Sequence, residues 1–347
     1  MIAMSIHCYT SFTFSYFARA KILVQTLRAA HPDWTIWAVM VDEPVDGEDF
    51  GLEREFDRVV YARDLGFPEF RKWLFKHDIV EASTAVKGRM LQHLLQQGAE
   101  KVVYLDPDIA VFSSLQGIMD RLDQYSIILT PHQVEPNDTE GLMKDNELTS
   151  LKYGIYNLGF AAVSNDAMGN RFADWWATQL AFACYDEIES GLFTDQKWCD
   201  LVPALFDGVY VERDPGYNVA SWNLSRRKIT ISREGSILVN GSPLKFFHFT
   251  KINTAGDLMI EKNAADNTEV MEIWNWYKRT LAANAIAEIP KGYWHYGTFS
   301  NGIAIPKDVR VFFRRRADLM KFFEDPFSVM GNSYFEWIRR EEPSLLT

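Results

Sequence analysis

Residues 101–112 read KVVYLDPDIAVF and place two carboxylates, Asp106 and Asp108, inside an otherwise apolar run. The run before them has the continuous apolar character of a buried strand, and Pro107 ends it because proline fixes the backbone and lacks an amide donor. Two unpaired carboxylates there would be costly to bury and would repel one another, unless a cation lay between them. We therefore predict a divalent cation, Mn²⁺ or Mg²⁺, at Asp106 and Asp108. The alternative is a surface turn that contains two aspartates.

The segments around this stretch alternate between strand-like and helix-like patterns that short turns separate. Strands are predicted at residues 4–9, 35–41, 58–61, 101–105 and 126–129, and helices at residues 14–30, 85–97 and 270–283. Such alternation indicates an α/β fold, with a mixed, mainly parallel sheet that helices flank. Ligands of these sheets bind beyond the carboxyl ends of the strands, which is where Asp106 and Asp108 are predicted to lie.

The length of 347 residues suits two structural units, and the pattern changes after about residue 251. We predict an α/β unit at residues 1–255 and a mainly helical extension at residues 256–347. Lys and Arg number 36 and Asp and Glu number 47, and the net charge of −11 argues against a nucleic-acid partner. Three dispersed cysteines, and the lack of an evident signal peptide or long apolar run, predict a cytoplasmic protein.

The sequence YLDPD, at the end of a predicted strand, resembles the Asp-x-Asp motif of the GT-A-fold glycosyltransferases. The resemblance is to the retaining group that includes glycogenin and the bacterial lipooligosaccharide galactosyltransferases, and it covers roughly residues 4–251. Further matches follow the order of that group: the basic pair Lys87 and Arg89, YNLGF at 156–160, Asp195-Gln196, and FFHFT at 246–250. It implies a GT-A fold and metal-dependent transfer of a sugar from a nucleoside-diphosphate sugar to an acceptor hydroxyl. Retention and a role in bacterial surface glycan synthesis are the favoured details.

The resemblance also implies roles for single residues. Asp106, Asp108 and His248 would hold the metal, and an imidazole ligand favours Mn²⁺ over Mg²⁺. Lys87 and Arg89 would lie near the donor diphosphate, which Asp106 also approaches. The catalytic residues would be Asn157, Asp195 and Gln196, which would line the sugar site. Asp195 or Gln196 would stabilise the positive charge that develops on the sugar.

Two departures from the group concern the donor. After its first strand the group has an acidic residue that contacts the base, whereas this chain reads Cys8-Tyr9-Thr10-Ser11. Tyr9 and Thr10 are therefore expected to contact the base in another way, and a UDP-sugar is favoured over a GDP-sugar. After its late His the group has a Gly and then Lys-Pro-Trp. Here Lys251 follows His248, and it either reaches the diphosphate or is a surface lysine.

The acceptor is predicted only as a class: a glycan, a lipid-linked acceptor or a protein. The polar, acidic segment at residues 132–153 is interpreted as a mobile loop over the active site or as a surface excursion. Residues 310–321 are rich in Arg and Lys that alternate with apolar residues. They predict either peripheral contact with an anionic membrane at its inner face, with room for a lipid-diphosphate acceptor, or a solvated helix face.

Other functions fit less well. A nucleotidyltransferase would have a Gly-rich, basic loop after the first strand, whereas residues 11–15 read SFTFS. An Asp-x-Asp phosphatase would have Thr or Val where Ala110 stands. A non-catalytic nucleotide-sugar or carbohydrate-binding protein remains as the alternative outside enzymes. Four aromatic residues beside the motifs are expected to stack on a base or a sugar ring: Tyr9, Tyr156, Tyr217 and Trp222.

Overall fold

The computed structural model of the protein describes residues 5–45 and 47–346, so the first residue of the strand predicted at 4–9 lies outside the described residues. The strands are β1 (Ile6–Phe12), β2 (Thr35–Met40), β3 (Arg58–Tyr61), β4 (Lys101–Leu105), β5 (Ile109–Val111), β6 (Ile127–Pro131), β7 (Tyr156–Ser164), β8 (Asp186–Glu187), β9 (Leu192–Phe193), β10 (Val209–Val211), β11 (Val219–Ala220), β12 (Ile229–Ile231), β13 (Ile237–Val239), β14 (Ser242–Pro243) and β15 (Phe246–His248). The helices are α1 (Phe17–Ala30), α2 (Leu52–Glu55), α3 (Phe70–Phe75), α4 (Ile79–Ala85), α5 (Lys87–Gln96), α6 (Gln116–Leu122), α7 (Glu140–Leu142), α8 (Thr149–Tyr153), α9 (Ala167–Ala183), α10 (Gln196–Cys199), α11 (Val202–Leu205), α12 (Ala255–Ala264), α13 (Thr268–Ala283), α14 (Lys307–Arg315), α15 (Ala317–Phe322) and α16 (Tyr334–Glu341).

A seven-stranded sheet in the order β10-β6-β7-β4-β1-β2-β3 forms the centre of the molecule. Its strands run in one direction except for β7, which is antiparallel to both of its neighbours. All five residues of β4 are buried, because helices cover both faces of the sheet. The predicted α/β architecture, with a mixed, mainly parallel sheet flanked by helices, is confirmed.

A small sheet in the order β11-β15-β5 extends the central sheet beyond the end of β4. The chain leaves β4, passes through the Asp106–Asp108 turn and enters β5, which pairs antiparallel with β15. In that pairing His248 stands opposite Ile109. The pairing therefore brings a residue from late in the chain next to the turn that follows β4.

The C-terminal residues consist of α12–α16 and connecting segments, and they pack against the α/β part of the chain. Phe75 of α3 contacts the rings of four C-terminal residues: Phe299, Phe313, Phe327 and Tyr334. The carboxylate of Asp42 accepts the backbone N–H of His295 at 2.7 Å. The division of the chain at residue 255 stays a prediction, but the two parts share one apolar core.

The structure gives the form of the two segments that were predicted at the surface, residues 132–153 and 310–321. Residues 132–153 are not an open loop, because α7, a π-helical turn at Met143–Leu148 and α8 follow one another there. Residues 310–321 are not one basic face. Arg310 is 1% exposed and donates to the carbonyls of Phe75 and Tyr296. Arg314 pairs with Glu81 and Glu187 in the interior, so neither arginine is available to a membrane.

No helix in the described part of the chain combines the length and the apolar character that crossing a membrane requires.

Helices α5 and α9 cross very closely at Gly88. A Cβ atom on Gly88 would lie 2.6 Å from the backbone N of Ala177, so the crossing excludes any side chain at this position. We expect Gly88→Ala to lower the free energy of unfolding by about 1–3 kcal/mol, because an added methyl group cannot be accommodated without moving a helix. Urea unfolding measures the loss. Gly141→Ala is the control, since a Cβ atom there meets nothing within 4 Å, and its stability should not fall.

Candidate active site

Asp106, Asp108 and His248 meet where β4 ends. One oxygen from each carboxylate and one ring nitrogen lie within 4.8 Å of one another. His248 Nε2 is 2.9 Å from Asp108 Oδ1 and 3.6 Å from Asp106 Oδ2. Asp108 is 7% exposed and His248 is 5% exposed, whereas the Asp106 side chain keeps 23% of its surface open to solvent. The site is therefore a cleft that opens towards Asp106.

Backbone hydrogen bonds fix this turn from two sides. The N–H of Asp106 donates to the carbonyl of Gly159 in β7 at 2.8 Å, and the N–H of Phe249 donates to the carbonyl of Asp108 at 2.8 Å. The first bond holds Asp106 against the central sheet, and the second holds Asp108 against the strand that carries His248. Side-chain contacts then orient the carboxylates, because Tyr104 donates to Asp106 and His248 contacts Asp108.

The two carboxylates and the imidazole of this cluster change each other's pKa values. Burial would lower the pKa of His248, but the carboxylates of Asp108 and Asp106 raise it overall. Burial would likewise raise the pKa of Asp108, but the His248 ring holds it below its usual value. Two carboxylates and one imidazole form an oxygen and nitrogen donor set that suits a divalent transition ion. The residues present thus fit a divalent cation, and Asp106, Asp108 and His248 would hold it.

Lys87, the first residue of α5, lies deep beside this cluster. It is 2% exposed, and its Nζ lies 2.8 Å from Asp195 Oδ2 and 3.2 Å from Asp106 Oδ1. It also donates to the carbonyl of Leu158 at 2.9 Å and lies over the ring of Tyr104. Burial opposes its charge, but the two carboxylates raise the pKa of Lys87 above its ordinary value. A permanently charged ammonium therefore links the predicted metal ligand Asp106 to Asp195.

Asn157 and Gln196 form a hydrogen-bonded pair on the other side of His248. Asn157 Nδ2 donates to Gln196 Oε1 at 3.1 Å, and Asn157 Oδ1 lies 3.2 Å from His248 Nδ1. Gln196 in turn donates to the carbonyl of Tyr153. A Cβ atom on Gly159 would lie 2.6 Å from His248 Cε1, so the Asn-x-Gly spacing leaves room for the histidine ring. The structure thus brings Asn157, Asp195 and Gln196 to the cluster.

Tyr9 and Thr10 are not at the mouth of the site. The first strand runs to Phe12, three residues further than predicted, so both residues lie inside the sheet. Tyr9 is 1% exposed, and its hydroxyl donates to the carbonyl of Lys87 at 2.9 Å. Thr10 is fully buried. Their predicted contact with a base is therefore corrected: Tyr9 supports the backbone that carries Lys87 and presents no free ring face.

Arg89 and Lys251 are also absent from the cluster. Arg89 follows Lys87 by two residues, which is roughly 200° around a helix, so its side chain leaves on the opposite side of α5. It contacts Gln92 and lines a separate cavity. Lys251 is exposed, and its backbone has a positive φ of 53° in the turn after β15. No contact within the described residues joins either cation to Asp106 or Asp108.

The sequence motifs did not assign three residues that the structure places on this side of the sheet: Tyr16, Arg19 and His132. Trp222 was expected there only as an aromatic residue that could stack on a base or a sugar ring. Tyr16 is 39% exposed with Arg19 over its ring at 4.4 Å, and burial and then the charge of Asp108 raise its pKa. His132 Nε2 lies 3.3 Å from Asn157 Nδ2, and burial lowers its pKa to about 4. Their common signal in the sequence is position, because Tyr16 and His132 closely follow β1 and β6 at the carboxyl edge of the sheet.

Of the other aromatic residues expected at the site, only Trp222 is there. Tyr156 is 8% exposed and Tyr217 is 3% exposed, so both belong to the core. Trp222 makes edge contacts with the rings of His248 at 5.4 Å and His132 at 5.7 Å. Its Nε1 atom is enclosed and has no hydrogen-bond partner among the described residues. Trp222 therefore forms part of the wall of the cleft.

Comparisons with known proteins give distant relatives. No protein-family model matches the chain. Two proteins of Bacillus subtilis (strain 168), both described as uncharacterized, are similar to it. YfnF is 26% identical over 266 residues, which cover 76% of this chain and 87% of YfnF. YfnD is 24% identical over 232 residues, which cover 66% of this chain and 72% of YfnD.

The chain is also similar to solved structures of glycosyltransferases. The galactosyltransferase LgtC, in complex with donor and acceptor sugar analogs, is 14% identical with a TM-score of 0.47, and the match covers 82% of this chain and 98% of LgtC. Mouse xyloside xylosyltransferase 1, in its apo form, is 13% identical with a TM-score of 0.43, and the match covers 72% of this chain and 98% of that one. At these levels of similarity, function has to be inferred from the site of this chain.

The pairing of Lys87 with Asp106 and Asp195 can be tested by stability. We expect Lys87→Met to lower the free energy of unfolding by about 3–5 kcal/mol, because it leaves buried carboxylates without their cation. The double variant Lys87→Met, Asp195→Asn should recover part of that loss. Urea unfolding measures both. Lys321→Met, at an exposed lysine, is the control and should change stability by less than about 0.5 kcal/mol. Equal losses in the single and double variants would contradict the pairing.

Proposed function

We propose that this protein is a metal-dependent glycosyltransferase that transfers a sugar from a nucleoside-diphosphate sugar to an acceptor hydroxyl. The observation that carries the proposal is the convergence of Asp106, Asp108 and His248 beside the buried Lys87–Asp195 pair. A divalent cation and a fixed ammonium side by side form the usual arrangement for binding a diphosphate and stabilising it as it leaves. The resemblance of five ordered motifs to the GT-A enzymes supports the same activity.

The donor set favours Mn²⁺ as the cation. Imidazole is a good ligand for Mn²⁺ and a poor one for Mg²⁺, and His248 presents Nε2 to both carboxylates. When bound, the cation supplies Lewis-acid stabilisation to the leaving diphosphate. Lys87 holds Asp106 in place and adds positive charge next to that position.

We assign the base and diphosphate contacts to Tyr16 and Arg19 rather than to Tyr9, Thr10, Arg89 and Lys251. Tyr16 has an exposed ring and follows β1 at the carboxyl edge of the sheet, where β4 also ends at Asp106, so a base stacked on it would lie on the side of the cluster. Arg19 lies over the same ring and could reach a phosphate. Neither residue selects a particular base, so UDP stays the preferred donor nucleotide on the family resemblance alone.

Retention of configuration is the preferred stereochemical outcome. An inverting enzyme needs a free carboxylate as base beside the acceptor. Within the described part of the cluster, Asp106 and Asp108 face His248, and Asp195 pairs with Lys87. Gln196 is held by Asn157 and by the carbonyl of Tyr153, which fixes its amide oxygen near the sugar position implied by the motifs. Asp195 and Gln196 would then stabilise the positive charge that develops on the sugar.

The acceptor is proposed as a class, which is a glycan, a lipid-linked acceptor or a protein. Synthesis of a bacterial surface glycan from the cytoplasmic side of the membrane follows from the family resemblance. Contact with a membrane through residues 310–321 is not part of the proposal, because Arg310 and Arg314 are internal.

Loss of one metal ligand tests the activity. We expect Mn²⁺ to raise the melting temperature of the wild type and to leave that of Asp108→Asn unchanged, because ligands stabilise only a state that binds them. With a panel of nucleoside-diphosphate sugars, sugar transfer or donor hydrolysis should fall at least about 100-fold in this variant. Asp120→Asn, at an exposed aspartate of α6, is the control.

Unchanged donor turnover in Asp108→Asn would contradict the metal site. Donor binding by the wild type without hydrolysis or transfer would instead indicate a binding protein.

We further propose that Asn157 positions His248 for the metal. Its amide oxygen can only accept a hydrogen bond, so the Nδ1 proton of His248 points at Asn157. Nε2 is then the nitrogen left for a cation, which would take the place of the Nε2 proton that Asp108 accepts at 2.9 Å. Partners of this kind commonly fix the tautomer and the orientation of a metal-binding histidine. The proposal differs from the role in sugar binding that the family resemblance implies.

Asn157→Ala separates these two roles. If Asn157 positions His248, the affinity for Mn²⁺ should fall about 10- to 100-fold in calorimetric titrations without donor. If Asn157 only contacts the sugar, that affinity should not change while the KM for donor rises. Asn165→Ala is the matched control, because Asn165 binds the carbonyls of Leu95 and Ala99 away from the site.

A further inference from the structure

A second cavity lies on the side of α5 that faces away from the cluster. It has a volume of about 370 Å³, and residues of α3, α5, the end of α9 and Met320 of α15 line it. Phe67 and Trp73 form one wall, stacked with their ring centroids 3.8 Å apart. Phe182 contributes a third aromatic ring and is 71% exposed at the rim. Phe67 and Trp73 are each 5% exposed, so the ring of Phe182 is the apolar surface of this wall that is open to solvent.

Three cations line the same cavity: Lys72, Lys76 and Arg89. Glu69 also lines it and pairs with Lys72 at 2.6 Å, which leaves two positive charges in excess. Neither Lys76 nor Arg89 has a carboxylate partner in the described part of the chain. The lining of the cavity therefore carries a net positive charge, although the net charge of the chain is −11.

Arg89 is incompletely satisfied at this site. Its Nη1 donates to Gln92 Oε1 at 3.3 Å, but its Nε is enclosed by protein and has no hydrogen-bond partner among the described residues. Buried polar groups are rarely left without a partner, and a guanidinium is especially costly to bury unpaired. Lys76 lines the same cavity, and burial and then the charge of Arg314 lower the pKa of Lys76. Both cations would be stabilised by an anion in the cavity.

We propose that this cavity binds a phosphate ester with an apolar or aromatic group, whose phosphate lies between Arg89 and Lys76. The planar guanidinium pairs with phosphate oxygens through two parallel hydrogen bonds, and lysine adds a compact charge. The ester group would pack on the exposed ring of Phe182 at the rim. The site is separate from the donor site, because Lys87 and Arg89 leave opposite sides of α5, and it does not rest on the proposed glycosyl transfer.

Calorimetric titration of the full chain with 1-naphthyl phosphate tests the proposal. We expect saturable binding to the wild type, and affinity at least about tenfold lower in Arg89→Gln and in Lys76→Gln, since a hydrogen bond to a charged group typically contributes that much. Lys321→Gln is the control, because Lys321 is exposed on α15 and does not line the cavity. Uncharged 1-naphthol should bind far more weakly than the ester. Melting curves verify that both variants are folded, and either variant alone suffices for the comparison.

The same experiment separates this site from the metal cluster. Asp108→Asn should bind 1-naphthyl phosphate like the wild type, whatever happens to its transferase activity. Loss of binding in Asp108→Asn would place the phosphate at the cluster and overturn the proposal. Absence of saturable binding, equal binding of 1-naphthol, or unchanged affinity in both Arg89→Gln and Lys76→Gln would overturn it as well.

Vesicles identify the source of the phosphate. Sedimentation with phosphatidylcholine vesicles that contain phosphatidic acid, lost in Arg89→Gln and absent with phosphatidylcholine alone, would identify a lipid headgroup as the ligand. Binding of 1-naphthyl phosphate without sedimentation would identify a soluble phosphate ester. Both results support a phosphate-ester site and differ only in what carries the phosphate.

Discussion

The gathering of three carboxylates, two of them buried, near one buried lysine is the constraint to which much of this structure responds. Asp106 and Asp108 follow β4 of the central sheet and Asp195 precedes α10, and Lys87 is the ammonium that reaches Asp106 and Asp195. To reach them, α5 must begin beneath the sheet edge and cross α9 at the backbone of Gly88. Tyr9 holds the carbonyl of Lys87, and Leu158 accepts from its ammonium. A cation bound at Nε2 would leave the His248 ring neutral, and the three carboxylates and Lys87 would then carry two negative charges, which a divalent cation matches.

The parts of the fold that could be predicted are those that local pattern decides. β3 and β4 were predicted to the residue, since β4 is an apolar run ended by the Asp106–Asp108 turn. Helix α13 was predicted to within two residues. The end of β1 was missed because Thr10 and Ser11 look like loop residues, while the structure buries both in the sheet. α9 was not predicted, since apolar residues on several of its faces obscure the helical period.

The residues of the candidate site likewise fall into those that local sequence predicts and those that only the fold brings to the site. Asp106 and Asp108 follow from local chemistry, because two carboxylates in an apolar run need a cation. His248 lies far away in sequence, and only the pairing of β15 with β5 brings it there, so residue pattern alone would have left it a buried histidine. The separation of Lys87 from Arg89 was available from the sequence, because residues two apart do not share a helix face. Tyr9 shows how an error in one strand end misplaces a residue. The sequence pattern ended β1 at residue 9 and so placed Tyr9 at the mouth of the site, whereas the strand continues to Phe12 and buries Tyr9. Tyr16, after the true end of β1, is the exposed ring.

The Asn-x-Gly segment shows why a short motif can recur for a reason other than direct contact with substrate. Asn157 and Gly159 are alternate residues of β7, so their positions face the same side of the sheet, which is the side of His248. The amide oxygen of Asn157 accepts a hydrogen bond from Nδ1 of the His248 ring. The lack of a Cβ atom at Gly159 leaves space for Cε1 of the same ring. A larger residue at 159 would displace the ring, and a residue without an acceptor at 157 would release its tautomer. The spacing of two is therefore what a strand needs to hold one imidazole from one side, and sugar contacts would come in addition to that requirement.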